Sequence, residues 1–222
     1  MKAFTCIIIF FILLGCHAFK KSKNKNYFFE GYGTNISPID SDIKKDIQIV
    51  HFGSQIGVIF PSAYAKKKFG TTKWAGDKTF ITPDTDLIKN IDQEINKQYC
   101  SSRRKAIAKS YFNINIDSLG IDSTQEKKYR LKYEAIDKWS EHDCDQWKSN
   151  SPYYDKQYIG YITVTGEKII YIKLIDFRED PYHLKPYLET SLIDGWHGWF
   201  YSNVMELHFD ATKSTFTATD NL

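Results

Sequence analysis

Tyr154–Val164 (YDKQYIGYITV), Thr165–Glu167 (TGE) and Lys168–Ile175 (KIIYIKLI) follow one another without interruption. Two arms rich in β-branched and aromatic residues flank a short glycine-centred turn, which predicts a β-hairpin. Working toward the C-terminus, Trp199–Phe209 alternates. Trp199, Tyr201, Met205, Leu207 and Phe209 share one face and Ser202, Glu206 and His208 the other, as in a half-buried strand. Thr215–Thr219 is placed to pair back on it. Toward the N-terminus, Tyr129–Ile136 reads as a further strand. Ile47–His51 and Ile56–Phe60 read as an earlier hairpin ended by Pro61.

One segment has helical period. Thr82-Pro83-Asp84-Thr85-Asp86 supplies a threonine cap, proline at the first position and acids in the first turn. Leu87, Ile88, Ile91, Ile95 and Tyr99 then recur at helical spacing, and the helix continues or restarts through Arg103–Tyr111. Asn113–Ser123 is a break, and Lys66-Lys67-Lys68 is a solvated turn or short helix face. The predicted class is α+β: a mostly antiparallel sheet of hairpins with one main helix packed on it.

The chain has 222 residues, 42% of them hydrophobic and 26% charged, a balance that excludes a disordered chain and a multi-span membrane protein. The formal net charge of +3 is unevenly placed. Lys2, Lys20, Lys21, Lys23 and Lys25 lie at the start, leaving 25 bases against 27 acids beyond them. A slightly acidic body with only four arginines argues against nucleic-acid binding, which needs clustered cations.

The start reads as an export signal: Lys2, then an unbroken apolar run from Ile7 to Leu14, short of the roughly 20 residues a membrane span requires. Leu13-Leu14-Gly15-Cys16 resembles the lipobox of bacterial lipoproteins. The resemblance implies cleavage before Cys16 and a diacylglycerol on its thiol; the alternatives are an ordinary cut after Ala18 or a retained anchor. The organisation expected is a signal peptide over 1–15, a basic lipid-anchored tether over 16–26 (HAFKKSKNKN after Cys16) and a single α+β domain over 27–222. His17 is not the aspartate associated with inner-membrane retention, which points to the outer membrane; a secreted or periplasmic protein is the alternative. The first partner is thus a lipid bilayer.

Either processing route leaves Cys100 and Cys144 in the body. In an exported chain they are a disulfide candidate, worth roughly 3–4 kcal/mol for so long a loop; buried free thiols are the alternative. The hairpin around Gly166, followed by Asp194-Gly195-Trp196 before an aromatic segment, resembles small uncharacterised envelope proteins of Gram-negative bacteria. That resemblance implies a compartment and no mechanism.

Chemistry-bearing clusters are sparse. Glu141-His142-Asp143-Cys144-Asp145 combines metal-ligand side chains, but neighbours in sequence diverge on a helix or strand, so a polar loop carrying a disulfide cysteine is the simpler reading. A Cys-His hydrolase would use Cys144 with His51, His183, His197 or His208, without any local signature. No cofactor or metal is implied. Asp194–Tyr201 is aromatic: Trp196 and Trp199 are candidate ligand-binding aromatics for a glycan or an envelope protein partner, against the simpler role of a core layer. The expected function is a membrane-anchored envelope lipoprotein with a non-catalytic binding or accessory role. The alternative is a secreted or anchored hydrolase using a His/Asp/Cys site.

Overall fold

The Tyr154–Ile175 hairpin forms the centre of a seven-stranded, mostly antiparallel sheet. The computed structural model describes residues 41–115, 123–195 and 198–218, without the side chains of 123–128 and 218. In chain order the elements are α1 (Ser41–Lys44), β1 (Gln48–Phe52), β2 (Gln55–Ile59), α2 (Ser62–Phe69), β3 (Thr79–Ile81), α3 (Thr85–Phe112), α4 (Ser123–Asn150), β4 (Tyr154–Ile162), β5 (Lys168–Asp176), α5 (Gly198–Asn203), β6 (Val204–Asp210) and β7 (Thr215–Ala218).

The sheet order is β1-β2-β4-β5-β6-β7, with β3 also on β4. β2 runs parallel to the first half of β4, from Lys156 to Tyr158, and β3 runs antiparallel to its second half, from Gly160 to Ile162. One edge of β4 thus serves two strands. Gly160 makes this possible: a Cβ there would stand 2.9 Å from Ile81 Cγ1 and 3.0 Å from the Ile81 carbonyl oxygen. At the β4–β5 turn Gly166 takes φ +85°, a conformation costly for other residues.

Pleating sorts the side chains. Tyr154, Tyr158, Ile170, Ile172, Leu174, Leu207, Phe209 and Phe216 face α3 and pack on Ile88, Ile91, Ile95 and Tyr99. Ile159, Tyr161, Tyr171 and Ile175 face the other way, into a core closed by Tyr64 and Ala65 of α2, Leu184–Ile193 and Phe200 of α5. The α+β class and the main helix on the sheet are as the sequence indicates.

Four local readings are corrected. Tyr129–Ile136 lies within the 28-residue helix α4; the Tyr129, Leu131, Tyr133 alternation imitates a strand, whereas the buried positions Ile136, Ser140, Cys144 and Trp147 keep helical spacing. Trp199 and Tyr201 belong to α5, and the strand begins at Val204. The cap of α3 is Asp84, which accepts from the Asp86 and Leu87 N–H groups at 2.8 and 3.3 Å; Thr82 instead accepts from Ser62 N–H. Glu141–Asp145 is one turn of α4, not a loop. The helix α3 does run on through Arg103–Tyr111 and ends where Asn113 turns left-handed, φ 51°.

α4 returns antiparallel along α3. Cys100 and Cys144 form a disulfide between them, with Cα atoms 5.3 Å apart. Beside it Arg103, 4% exposed, donates to Asp143 at 2.6 Å, and Arg104 donates to Asp137 at 2.7 Å.

Candidate functional site

The disulfide determines what meets near the base of the helical pair. Tyr99 precedes Cys100, and Trp147 follows Cys144 by one turn, so the crosslink brings their rings together: they stack with centroids 4.2 Å apart and planes 13° from parallel. Tyr154, the first residue of β4, extends the stack, its centroid 6.0 Å from that of Trp147. These rings floor a pocket of about 90 Å³ between α3, α4, β4 and the α5–β6 junction. Asp143 and Asn150 supply polar wall, and exposed Tyr201 stands at the rim.

The electrostatics favour neutral hydroxyls on charged surroundings. Burial raises the Tyr99 pKa, with Arg103 opposing and Asp143 reinforcing the rise. Burial likewise raises that of Tyr154, aided by Asp176 and opposed by Arg178. Both phenols therefore keep their protons near neutrality. Arg103 neutralises Asp143, and Arg178 bridges Asp176 and the Asn150 side-chain oxygen, at 2.9 Å to the latter. The volume is far below the roughly 300 Å³ of a cofactor pocket. Such a site suits one hydroxyl- or amide-bearing group of a larger ligand.

The densest titratable cluster lies on the opposite face of the sheet. Lys173, 2% exposed, donates to Asp194 at 2.7 Å and to the Ile193 carbonyl at 3.2 Å, and forms an ion pair with Glu206 at 3.2 Å. These contacts peg the 188–195 segment to β5. Gln157, wholly buried, does the same from β4: its amide donates to the Leu188 and Ser191 carbonyls and its oxygen accepts from Ile193 N–H. His208 lies on this face with its pKa lowered by burial, against the pull of Glu206 and with the push of Lys78.

The candidate residues named from the sequence do not converge on either place. Cys16, Trp196 and His197 lie outside the described residues. Trp199 is half-buried; its indole N–H donates to the Glu179 carbonyl at 2.7 Å and its ring meets Phe200 edge-on. His51, His142, His183 and His208 occupy β1, α4, a loop and β6. Cys144, held in the bridge, has no thiol to act as nucleophile. Among the described residues no group of three His, Cys, Asp or Glu is placed to hold a metal ion. Pattern reading missed the pocket because Tyr99 reads as an ordinary core position; the pairing of Cys100 with Cys144 was the signal that joins it to Trp147. No family model, curated protein or solved structure matches the chain.

Proposed function

We propose that this chain is an envelope lipoprotein, anchored through Cys16 and carrying a non-catalytic binding domain outside the cytoplasm. The observation that carries the reading is the Cys100–Cys144 bridge, because structural disulfides persist in oxidising compartments. It agrees with the apolar leader ending in Leu13-Leu14-Gly15-Cys16 and with the basic tether that follows. No described helix is long and apolar enough to cross a membrane. The binding role is supported by the aromatic-floored pocket and by the dispersal of the described histidines. A glycan unit is the ligand class proposed for it.

Metabolic labelling with radioactive palmitate tests the anchor. The parent should take up label and sediment with membranes; Cys16→Ala should take up none and enter the soluble fraction. An unlabelled parent, or identical fractionation of the two, overturns the anchor. Titration with peptidoglycan fragments tests the pocket: Trp147 emission should saturate in the parent and respond far less in Tyr201→Ala. No response in the parent overturns the glycan reading.

A further inference from the structure

We infer that the far end of the α3–α4 pair is a contact surface for an anionic phospholipid bilayer. Beyond Arg104 the two helices leave the sheet behind. Their mutual contact is a small cluster of Ile107, Ala108 and Ile136 with Phe112, Ile114 and Tyr133 packed on it, all from the pair and the residues just after α3. At 1.5 Å per residue, Arg104–Phe112 extends about 13 Å.

Two properties of this end bear on what it can meet. The first is charge. Between Arg104 and Trp139 the described residues include eight Lys and Arg against three Asp and Glu; the remaining described residues carry 17 against 19. With Asp117 and Asp122 of the intervening sequence counted, the stretch from Arg104 to Trp139 stands at eight against five, a net basic segment on a slightly acidic body. The second is exposed apolar surface. Tyr111 is 53% exposed, Trp139 45% and Leu131 80%. Tyr111 and Trp139 stand edge to face, 5.5 Å between centroids, and Trp139 also meets Phe112. Leu131 lies two turns nearer the tip than Trp139, among exposed Arg130, Lys132 and Lys138.

An exposed tryptophan–tyrosine pair, with an exposed leucine two turns further along α4 among basic side chains, matches the chemistry of a headgroup layer. Amphipathic rings settle at the interface, aliphatic side chains enter the acyl boundary, and lysines answer anionic lipid. Charge complementarity selects this occupant: a neutral apolar partner would leave the basic excess unanswered. The inference rests on the envelope reading for the presence of a bilayer and on the tip itself for the contact.

The test uses the mature protein with vesicles containing brominated acyl chains, either phosphatidylcholine alone or with 30% phosphatidylglycerol. Emission quenching is compared between the parent, Trp139→Phe and the triple variant Lys109→Glu/Lys132→Glu/Lys138→Glu. The expected result is a quenched component in phosphatidylglycerol vesicles. Trp139→Phe should remove it; the triple variant or 0.5 M salt should weaken it at least fivefold. Circular dichroism and the urea midpoint confirm that the variants fold. Protein that floats with vesicles while parent and Trp139→Phe quench alike overturns the inference, as does equal quenching in the two lipids. Quenching at Trp139 in protein without palmitate would overturn the anchor alone and leave the contact standing.

Discussion

At the scale of single residues, the second core is organised by one buried cation. Lys173 sits on a strand position that alternation assigns to an interior face, and it is tolerated there because two hydrogen bonds and two ion-pair partners meet its charge. Replacing it with methionine keeps the volume but leaves Asp194 and Glu206 facing each other. With Asp194 and Glu206 partly open to water, Lys173→Met should cost about 2–3 kcal/mol, read as a lowered urea midpoint at pH 7. Asp194 carries a pH signature. Burial works to raise its pKa, but the charge and hydrogen bond of Lys173, the charge of Lys68 and the Gly195 N–H together hold it below the ordinary carboxylate value. A depressed folded pKa means that the stabilisation is complete above the unfolded value, about 3.9, and is lost as pH falls through the folded one. The parent should therefore lose stability between pH 5 and pH 2.5, and Asp194→Asn should show a shallower loss in that window. Asp176 and Asp210 are also held low, so part of the step remains. Matching slopes for parent and variant would refute the role given to this pair.

At the scale of elements, the helical pair depends on its crosslink. The bridge spans a sequence separation of 44, for which the chain-entropy model gives about 4 kcal/mol. Cys100→Ser/Cys144→Ser, or reduction with dithiothreitol, should lower the urea midpoint accordingly and weaken the Tyr99–Trp147 stack, seen as a loss of near-ultraviolet circular dichroism. An unchanged midpoint would show that the bridge adds nothing. Elements also show what a sequence discloses. The β1–β2, β4–β5 and β6–β7 pairings and the core face of α3 were readable because each has a clear period and a turn or cap beside it. α4 was not, because its first half is charged on most sides and its buried stripe emerges only from Ile136 onward. Gly198–Asn203 was misread as strand because six residues hold too few turns for a helical period to show. The pocket lay beyond reach for a different reason: its walls come from three separate stretches of chain, α3, α4–β4 and α5–β6, and the disulfide cysteines link just the first two.

At the scale of the whole molecule, stability is unevenly distributed. Two extensive cores clamp the sheet, one on each face, and share β4 and β5 between them. Among the described residues, the hydrophobic cluster of the distal helical pair has three buried side chains, Ile107, Ala108 and Ile136, and none from a strand. Local opening should follow that division, since its free energy tracks buried apolar contact. Tyr171 and Ile172 lie in the middle of β5, paired on both sides and within a sheet buried on both faces. Their amides should exchange only on global unfolding. The amides of Ala108 and Ile136 should exchange through a smaller opening, about 2 kcal/mol or more below the global value. The two halves are coupled at the Arg103–Asp143 pair and the disulfide, which mark where the helices leave the sheet. Reduction should therefore lower protection along both helices and leave the β5 amides tracking the new global stability. Native-state hydrogen exchange over a denaturant series resolves the two classes. Equal free energies at Ala108, Ile136 and Ile172 would mean that the tip unfolds only with the sheet and that the division does not exist. Given a separate opening, phosphatidylglycerol vesicles should slow exchange at Ala108 and Ile136 while leaving Ile172 unchanged, because a surface that binds the tip stabilises only the states in which the tip is formed.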